Sequence, residues 1–147
     1  MTVIVTGCGK SGTHWLAHVL GHFMEASHEP KEIAGDVVVD CRLVGRAQEL
    51  AAGHRVIQLA RDGRNVVRSR YASERMDLKS FEHGCKQWAT AVGQCAGLET
   101  VRLEDLLQRQ GASQSFSLPH WTDWPDEYTS AFWRICGDTM TTLGYGP

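Results

Sequence analysis

The sequence has no surplus of positive charge and no long apolar run. Its 147 residues carry fifteen Lys and Arg against seventeen Asp and Glu, a formal net charge of −2. A protein that coats nucleic acid needs a basic surplus, so we expect no nucleic-acid partner. No apolar run approaches the roughly 20 residues that span a bilayer, and the first residues lack the charged start of a signal peptide. We therefore expect no membrane partner.

Cysteine pairs and metal-ligand patterns are also scarce. The five cysteines are widely spaced, odd in number and without a C-x-x-C pair, which argues against a disulfide framework or a zinc knuckle. His14, His18 and His22 follow one another at helical spacing, but no H-E-x-x-H glutamate accompanies them. These patterns predict a cytoplasmic protein that requires no metal.

Length and the alternation of strands with helices predict one α/β domain over residues 1–147. A chain of this length supports one hydrophobic core. Strands separated by helices favour parallel βαβ units and a three-layer αβα arrangement around a central parallel sheet. The predicted strands are Thr2–Thr6, Arg55–Ala60 and Leu98–Leu103, with Val37–Val39 as a strand or the start of a helix. The predicted helices are Thr13–Glu25, Ala47–Ala52, Arg64–Ser73, Ser80–Ala96, one starting at Glu104, and Asp126–Leu143, and Gly111–Pro125 is the longest irregular stretch.

The segment from Gly7 to Trp15 has the pattern of a phosphate-binding loop. It reads G-C-G-K-S-G-T-H-W, follows the first predicted strand and opens the first predicted helix. Backbone N–H groups of such a turn converge, and the helix dipole favours an anion there. Glycines permit the tight curvature. The segment therefore predicts an anion site, with a solvated loop lysine as the alternative interpretation of Lys10.

A nucleoside triphosphate matches this loop poorly. Gly7 and Gly12 have the spacing of G-x-x-x-x-G-K-[ST], but Thr13 and His14 stand where that motif has Lys and then Ser or Thr. The lysine of the segment, Lys10, lies inside the loop instead. A small P-loop nucleotide or nucleoside kinase, which would bind ATP and Mg²⁺, is nevertheless kept as an alternative.

Arginine is concentrated in one stretch of the chain. Six arginines from Arg55 to Arg75 are accompanied there only by Asp62 and Glu74. Because Arg offers planar donors to phosphate, this density near the end of a strand favours a second anion site. A solvated helix face is the alternative for the arginines taken singly.

The loop resembles a motif of one enzyme family. Lys10-Ser11-Gly12-Thr13 with Trp15, directly after a strand, resembles the 5′-phosphosulfate loop P-K-S-G-T-T-W. That loop belongs to sulfotransferases that use 3′-phosphoadenosine 5′-phosphosulfate (PAPS). In this chain Gly9 replaces the proline of the motif, and His14 replaces its second threonine.

Three later segments resemble the same family, in the same order. Arg61 and Ser69, eight residues apart, are similar to the Arg and Ser of R-[ND]-P-x-D-V-V-x-S, which hold the 3′-phosphate. Val101–Leu106 resembles the Y-E-D-L junction between a strand and a helix, and Leu143–Tyr145 resembles a terminal L-G-Y. The four matches together span nearly the whole chain.

The resemblance implies a P-loop-like fold and a sulfotransferase that moves a sulfuryl group from PAPS to an acceptor hydroxyl or amine. Lys10 would stabilise the departing phosphate at the bridging oxygen. Ser11, Gly12 and Thr13 would bind the 5′-phosphate, within a cofactor-binding loop that extends from Gly9 through His14 to Trp15. By the same resemblance, Arg61 and Ser69 would hold the 3′-phosphate.

The general base has several candidates. Glu29 is favoured because several branches of the family carry an active-site Glu at about this place, and His28 comes second. The cytosolic steroid and phenol branch uses a His from a later loop, so His83 and His120 are also candidates. Asp40, which bears a weak likeness to a magnesium-binding carboxylate, is a further one.

The chain departs from the family in length and at its C-terminus. It lacks the R-K-G segment with which the cytosolic branch closes its cofactor site. The resemblance does not identify the acceptor, which is a small molecule, a carbohydrate or a peptide tyrosine. Because the short chain has reduced loops over the acceptor site, a homo-oligomer could supply the missing wall of that site. Trp88, Trp121 and Trp124 are candidates to line the acceptor pocket, with core packing as the alternative. A non-catalytic nucleotide-binding domain of the same fold is the third hypothesis.

Overall fold

Strands and helices alternate along the chain in the computed structural model, which describes residues 1–70, 77–106 and 120–147. One sheet contains the strands β1 (Val3–Thr6), β2 (Ala26–His28), β3 (Val37–Val39), β4 (Arg55–Ala60) and β5 (Glu99–Arg102). The helices are α1 (Thr13–Leu20), α2 (Ala47–Leu50), α3 (Gly63–Arg70), α4 (Leu78–Gln94), α5 (Leu103–Leu106) and α6 (Asp126–Thr142), and two 3₁₀ segments cover Cys41–Arg46 and Trp121–Asp123. The end of the predicted helix at 71–73, Arg75 and most of the predicted irregular stretch lie outside the described residues.

The sheet is parallel throughout, with the order β2-β3-β1-β4-β5. The central strand β1 pairs with β3 on one side, where Val5 faces Val39, and with β4 on the other, where Val5 faces Ile57. From β1 the chain crosses to one end of the sheet, and from β4 it crosses to the other end. Ligands of parallel sheets bind at the carboxyl ends of strands where the order reverses in this way. The fold therefore places the segments after β1 and β4 at a crevice.

Helices pack on both faces of the sheet. Ile4 and Val56 lie in one apolar cluster with Ala47 and Leu50 around α2. The adjacent residue Val5 points to the opposite face, in a cluster that includes residues of α1. Successive side chains of a strand point to opposite faces, so both faces are covered. This arrangement confirms the predicted α/β class with a central parallel sheet and is compatible with three layers.

The largest apolar cluster joins α3, α4 and α6. Phe81 and Trp124 meet edge to face with their ring centroids 5.0 Å apart, and Trp88 is fully buried in the same cluster. Edge-to-face contact is a favoured geometry of aromatic pairs. Trp88 and Trp124 are therefore buried with the core, which is the alternative that the sequence analysis kept for them, and Trp124 also borders a cavity beside Trp121. Trp121 is half-buried and lies against Arg64, 4.0 Å from its guanidinium carbon.

Two local predictions differ from the structure after the first helix. The helix α1 ends at Leu20 rather than Glu25, because after it His22 and Phe23 donate to the carbonyls three residues back, at 3.2 and 2.9 Å, in tight turns that do not continue the α-helix. The short strand β2, which the sequence analysis did not predict, pairs with β3 at the end of the sheet. Its Ser and His are half-buried, so it carries no apolar alternation. Val37–Val39, for which the sequence allowed either a strand or the start of a helix, forms a strand.

Cysteine serves mainly as a small apolar side chain in this fold. Cys8, Cys85, Cys95 and Cys136 are buried, Cys41 is partly exposed, and none of the five forms a disulfide. None of the helices within residues 1–70, 77–106 and 120–147 is long and apolar enough to cross a membrane.

Candidate functional site

Glycine determines the path of the loop between β1 and α1. A side chain at Gly7 would collide with the carbonyl oxygen of Leu59 in β4, so the loop backbone lies directly against that strand. Gly12 has a left-handed φ of 93°, and a Cβ there would lie 2.8 Å from the Leu103 side chain. Between them, the N–H of Ser11 donates to the Cys8 carbonyl at 3.1 Å. The loop is therefore a tight turn that larger residues at its two ends would disrupt.

Lys10 is held in an unusual backbone conformation at the tip of this turn. Its φ is 71°, in the left-handed region that residues with a Cβ seldom adopt. Its side chain is exposed. Strained backbone of this kind concentrates at functional sites, where neighbouring contacts maintain it.

Several hydrogen-bonding groups converge at the start of α1. No side chain caps the first turn of this helix, in which Thr13 is buried, so its leading N–H groups have no side-chain acceptor. The Ser11 hydroxyl oxygen is buried and has no hydrogen-bond partner among the described residues. Unpaired donors at a helix N-terminus next to a buried hydroxyl suit an anion with several oxygens. His14 and Trp15, both exposed, extend the first turn beyond them.

Arg61 links the loop to the helix α3. Immediately after β4, its Nη1 donates to the Lys10 carbonyl oxygen at 3.0 Å and lies 3.4 Å from the Ser69 hydroxyl. The two sequence-predicted phosphate sites thus lie within one side chain of each other, at the crevice between β1 and β4. Ser69 is in the last turn of α3, so its eight-residue separation from Arg61 spans the length of that helix.

The Arg61 guanidinium is a partly buried cation without a contacting carboxylate. Burial lowers its pKa, and the carboxylates of Glu104 and Asp62 offset only part of that effect. In the described part of the chain, no carboxylate oxygen lies within ion-pair distance of Arg61. A half-buried cation that bonds only to a carbonyl and a hydroxyl has capacity for an anion.

Two other members of the arginine-rich stretch already have carboxylate partners. Arg64 forms a buried ion pair with Asp62, with Nη2 and Oδ2 2.7 Å apart. Arg55 pairs with Glu99 at 2.8 Å, at the opposite edge of the sheet. Arg64 and Arg55 therefore pair with carboxylates, whereas Arg61 bonds to the Lys10 carbonyl and to Ser69.

Glu104 and Tyr145 form a contact that the sequence analysis did not anticipate. Glu104 accepts the N–H of Asp62 at 3.0 Å with one oxygen and the Tyr145 hydroxyl at 2.7 Å with the other. Burial, and next the hydrogen bond to Glu104, raise the pKa of the Tyr145 hydroxyl, which therefore remains a donor. Both residues lie in segments that resemble motifs of the sulfotransferase family, Val101–Leu106 and Leu143–Tyr145. Their contact supports the turn directly after Arg61.

The favoured base candidates lie beside the start of α1. His28 ends β2, and its ring centroid is 4.9 Å from that of His14. Glu29 follows at a left-handed φ of 48°, and its two oxygens lie 3.1 Å from the Cys41 sulfur and 3.9 Å from Arg42 Nε. Burial and the hydrogen bond to Glu29 raise the pKa of the Cys41 thiol to about 12. Glu29 is therefore an acceptor for a neutral thiol at the carboxyl end of β2, two strands away from β1.

The carboxylate of Asp40 is committed to Arg42. Three hydrogen bonds of 2.8–3.2 Å join it to the Arg42 guanidinium, and Oδ1 also accepts the Arg42 N–H at 2.8 Å. Burial acts to raise the pKa of Asp40, but these hydrogen bonds outweigh it and hold the pKa below 3.8. A carboxylate engaged in this way is poorly suited to accept a proton from a substrate.

The remaining histidine candidates lie in different places. His83 of α4 lines a groove that begins at Gly9 of the loop. His120 lies against Trp121, with its Nδ1 2.9 Å from the Thr122 hydroxyl. The described contacts of His120 thus connect it to the 3₁₀ segment rather than to the loop.

Comparison of the chain with models of protein families, with curated proteins and with solved structures finds no match. The geometry of the site is therefore the basis for any functional conclusion.

Proposed function

We propose that the protein is a PAPS-dependent sulfotransferase with a P-loop-like fold. The observation that carries this proposal is the position of Arg61, which contacts both the Lys10 carbonyl and the Ser69 hydroxyl. A donor with phosphates at the 5′ and 3′ positions of one adenosine needs two neighbouring anion sites, because both positions belong to the same ribose. The loop with Ser11 provides one, and Arg61 with Ser69 provides the other.

The residues of the loop have the chemistry that sulfuryl transfer requires. In such a transfer negative charge builds on the departing phosphate oxygen, so a nearby cation lowers the barrier. Lys10 is the exposed cation of the loop, and the N–H groups after Gly12 would orient the 5′-phosphate. PAPS, when bound, supplies the sulfuryl group; the acceptor proton would pass to Glu29 or His28 at the carboxyl end of β2.

A kinase is the less favoured alternative for two reasons. Lys10 lies inside the loop rather than directly after Gly12, where a triphosphate site has its lysine. Asp40, the candidate magnesium-binding carboxylate, is bound through both oxygens by Arg42. Magnesium would have to displace that guanidinium.

Calorimetric titration with nucleotides tests the proposal. We expect adenosine 3′,5′-bisphosphate to bind at least tenfold more tightly than ADP, without magnesium, because only the bisphosphate reaches Arg61 and Ser69. Equal affinities would refute the assignment. Tight binding of the bisphosphate with no transfer to any acceptor would instead identify a non-catalytic binding domain.

A further inference from the structure

A groove extends from the loop along one face of α4. It begins at Gly9, the residue before Lys10, and has a volume of about 410 Å³, within the range of roughly 300–1,000 Å³ typical of small-molecule sites. A Cβ at Gly9 would meet nothing within 4 Å, so the mouth of the groove is open. The lining residues are Cys8, Gly9, Val44, His83, Lys86, Gln87, Thr90, Ala91 and Gln94.

The sides of α4 differ in chemistry. Phe81, Cys85 and Trp88 are buried on the core side. His83, Lys86 and Thr90 are exposed along the groove, at spacings of three and four residues that keep them on one face. The exposed side of α4 therefore presents polar side chains to the groove, whose lining also includes the core residues Cys8 and Ala91.

The charge of the groove is positive. None of its lining residues is acidic. Lys86 has no carboxylate within ion-pair distance among the described residues, and Glu82, the acid of the same helix, is bound to Arg134. Lys86 is the lysine of the groove lining, and Lys10 follows the lining residue Gly9 in sequence. A ligand with a negative group is favoured there.

Gln87 adds an unsatisfied acceptor. Its side-chain oxygen is buried and has no hydrogen-bond partner in the part of the chain that the structure describes. A buried amide oxygen without a donor is costly, and a hydroxyl group of a ligand would satisfy it. Thr90 and Gln94 offer further hydrogen-bonding groups along the same wall.

We propose that this groove binds the sulfuryl acceptor and that the acceptor is a sugar bearing a negative group. The inference rests on the proposed function, because it takes the groove to lead to a donor held at Lys10. The hydroxyl groups of the sugar would bond to the amides and Thr90, and its negative group would pair with Lys86. The groove thereby selects acceptors by charge.

Binding of matched sugars to the intact protein tests this proposal. Methyl glucuronide and methyl glucoside differ only in a carboxylate, and acetate carries the charge without hydroxyl groups. By titration followed with NMR, we expect the glucuronide to bind more tightly than either. Lys86→Ala should weaken glucuronide binding about threefold to fivefold and leave the glucoside unchanged, as for an exposed ion pair. Lys86→Glu should abolish the preference.

The control variant is Arg55→Ala, which removes one positive charge at the opposite edge of the sheet and should leave sugar binding unchanged. Equal binding of glucuronide and glucoside, binding of acetate as tight as that of glucuronide, or no binding of either sugar overturns the proposal. Failure of the proposed function would appear separately, as a loss of preference for adenosine 3′,5′-bisphosphate over ADP.

Discussion

The Tyr145 hydroxyl donates a hydrogen bond of 2.7 Å to Glu104, across 41 residues of sequence. The other oxygen of Glu104 accepts the N–H of Asp62, so the C-terminal segment supports the turn that positions Arg61. Tyr145 thus supports the candidate 3′-phosphate site indirectly, through Glu104, without contacting that site itself.

Tyr145→Phe should therefore weaken the site indirectly. Removal of this hydroxyl should lower the free energy of unfolding by about 1 kcal/mol, and it should reduce affinity for adenosine 3′,5′-bisphosphate severalfold. Urea denaturation and calorimetry measure the two effects. Tyr128→Phe, in the first turn of α6, is the matched control and should leave nucleotide affinity unchanged. Unchanged affinity in Tyr145→Phe would show that the turn does not depend on this contact.

Arg61→Ala should remove the discrimination between nucleotides. A charge-assisted hydrogen bond contributes about 1.5–3 kcal/mol, so affinity for adenosine 3′,5′-bisphosphate should fall at least tenfold while affinity for ADP changes little. Arg55→Ala removes the same charge from a residue that pairs with Glu99, and should affect neither nucleotide. An equal loss for both nucleotides in Arg61→Ala would mean that Arg61 supports the fold rather than reading the 3′-phosphate.

Lys10→Ala should abolish most turnover and leave the fold intact. The Lys10 side chain is exposed, so its loss removes no core contact. If Lys10 neutralises the departing phosphate, kcat should fall about 100-fold or more, measured as release of adenosine 3′,5′-bisphosphate from PAPS. Lys79→Ala, an exposed lysine of α4, is the control. Turnover retained in Lys10→Ala would remove Lys10 from the mechanism.

Gly12→Ala should destabilise the loop. The left-handed φ of 93° and a Cβ 2.8 Å from Leu103 together should cost about 1–3 kcal/mol and weaken nucleotide binding. Gly9→Ala in the same loop is the matched control for stability, because its Cβ meets nothing within 4 Å. Urea denaturation of the two variants separates them, and equal stabilities would contradict the steric argument.

Asp40→Asn should reveal a pH-dependent contribution to stability. The pKa of Asp40 is below 3.8 in the folded protein, so the ionised group stabilises the fold at neutral pH. That stabilisation is complete above the unfolded value of about 3.8 and disappears as the pH falls through the lower folded value. The variant should therefore unfold at a lower temperature than the parent at pH 7 and converge with it in acid. A constant difference across this range would exclude the linkage.

Local chemistry explains why much of the sheet could be predicted. β-Branched runs such as Val37–Val39 and apolar strands followed by helices produce a pattern that few other folds share. The glycines at 7 and 12 indicated a tight turn for the same reason, since their backbone requirements are local.

Long-range contacts explain what could not be predicted. β2 is three residues long, and its pairing with β3 rather than its composition makes it a strand. The contacts of Glu104 with Asp62 and Tyr145 depend on the tertiary fold, so the motif matches did not reveal them. The burial of Trp88 likewise follows from the packing of α4 against its neighbours.

The close approach of Gly7 to Leu59 has a consequence for donor selection. Because the loop backbone lies directly on β4, and Arg61 follows Leu59 by two residues, the two candidate phosphate sites belong to one rigid unit. Both are anchored to the paired strands β1 and β4, so the sheet sets the positions of the two segments relative to each other. If the proposed function holds, the spacing of the two donor phosphates is matched to this anchored pair of segments, so an isomer with its second phosphate on the 2′ oxygen should bind less tightly.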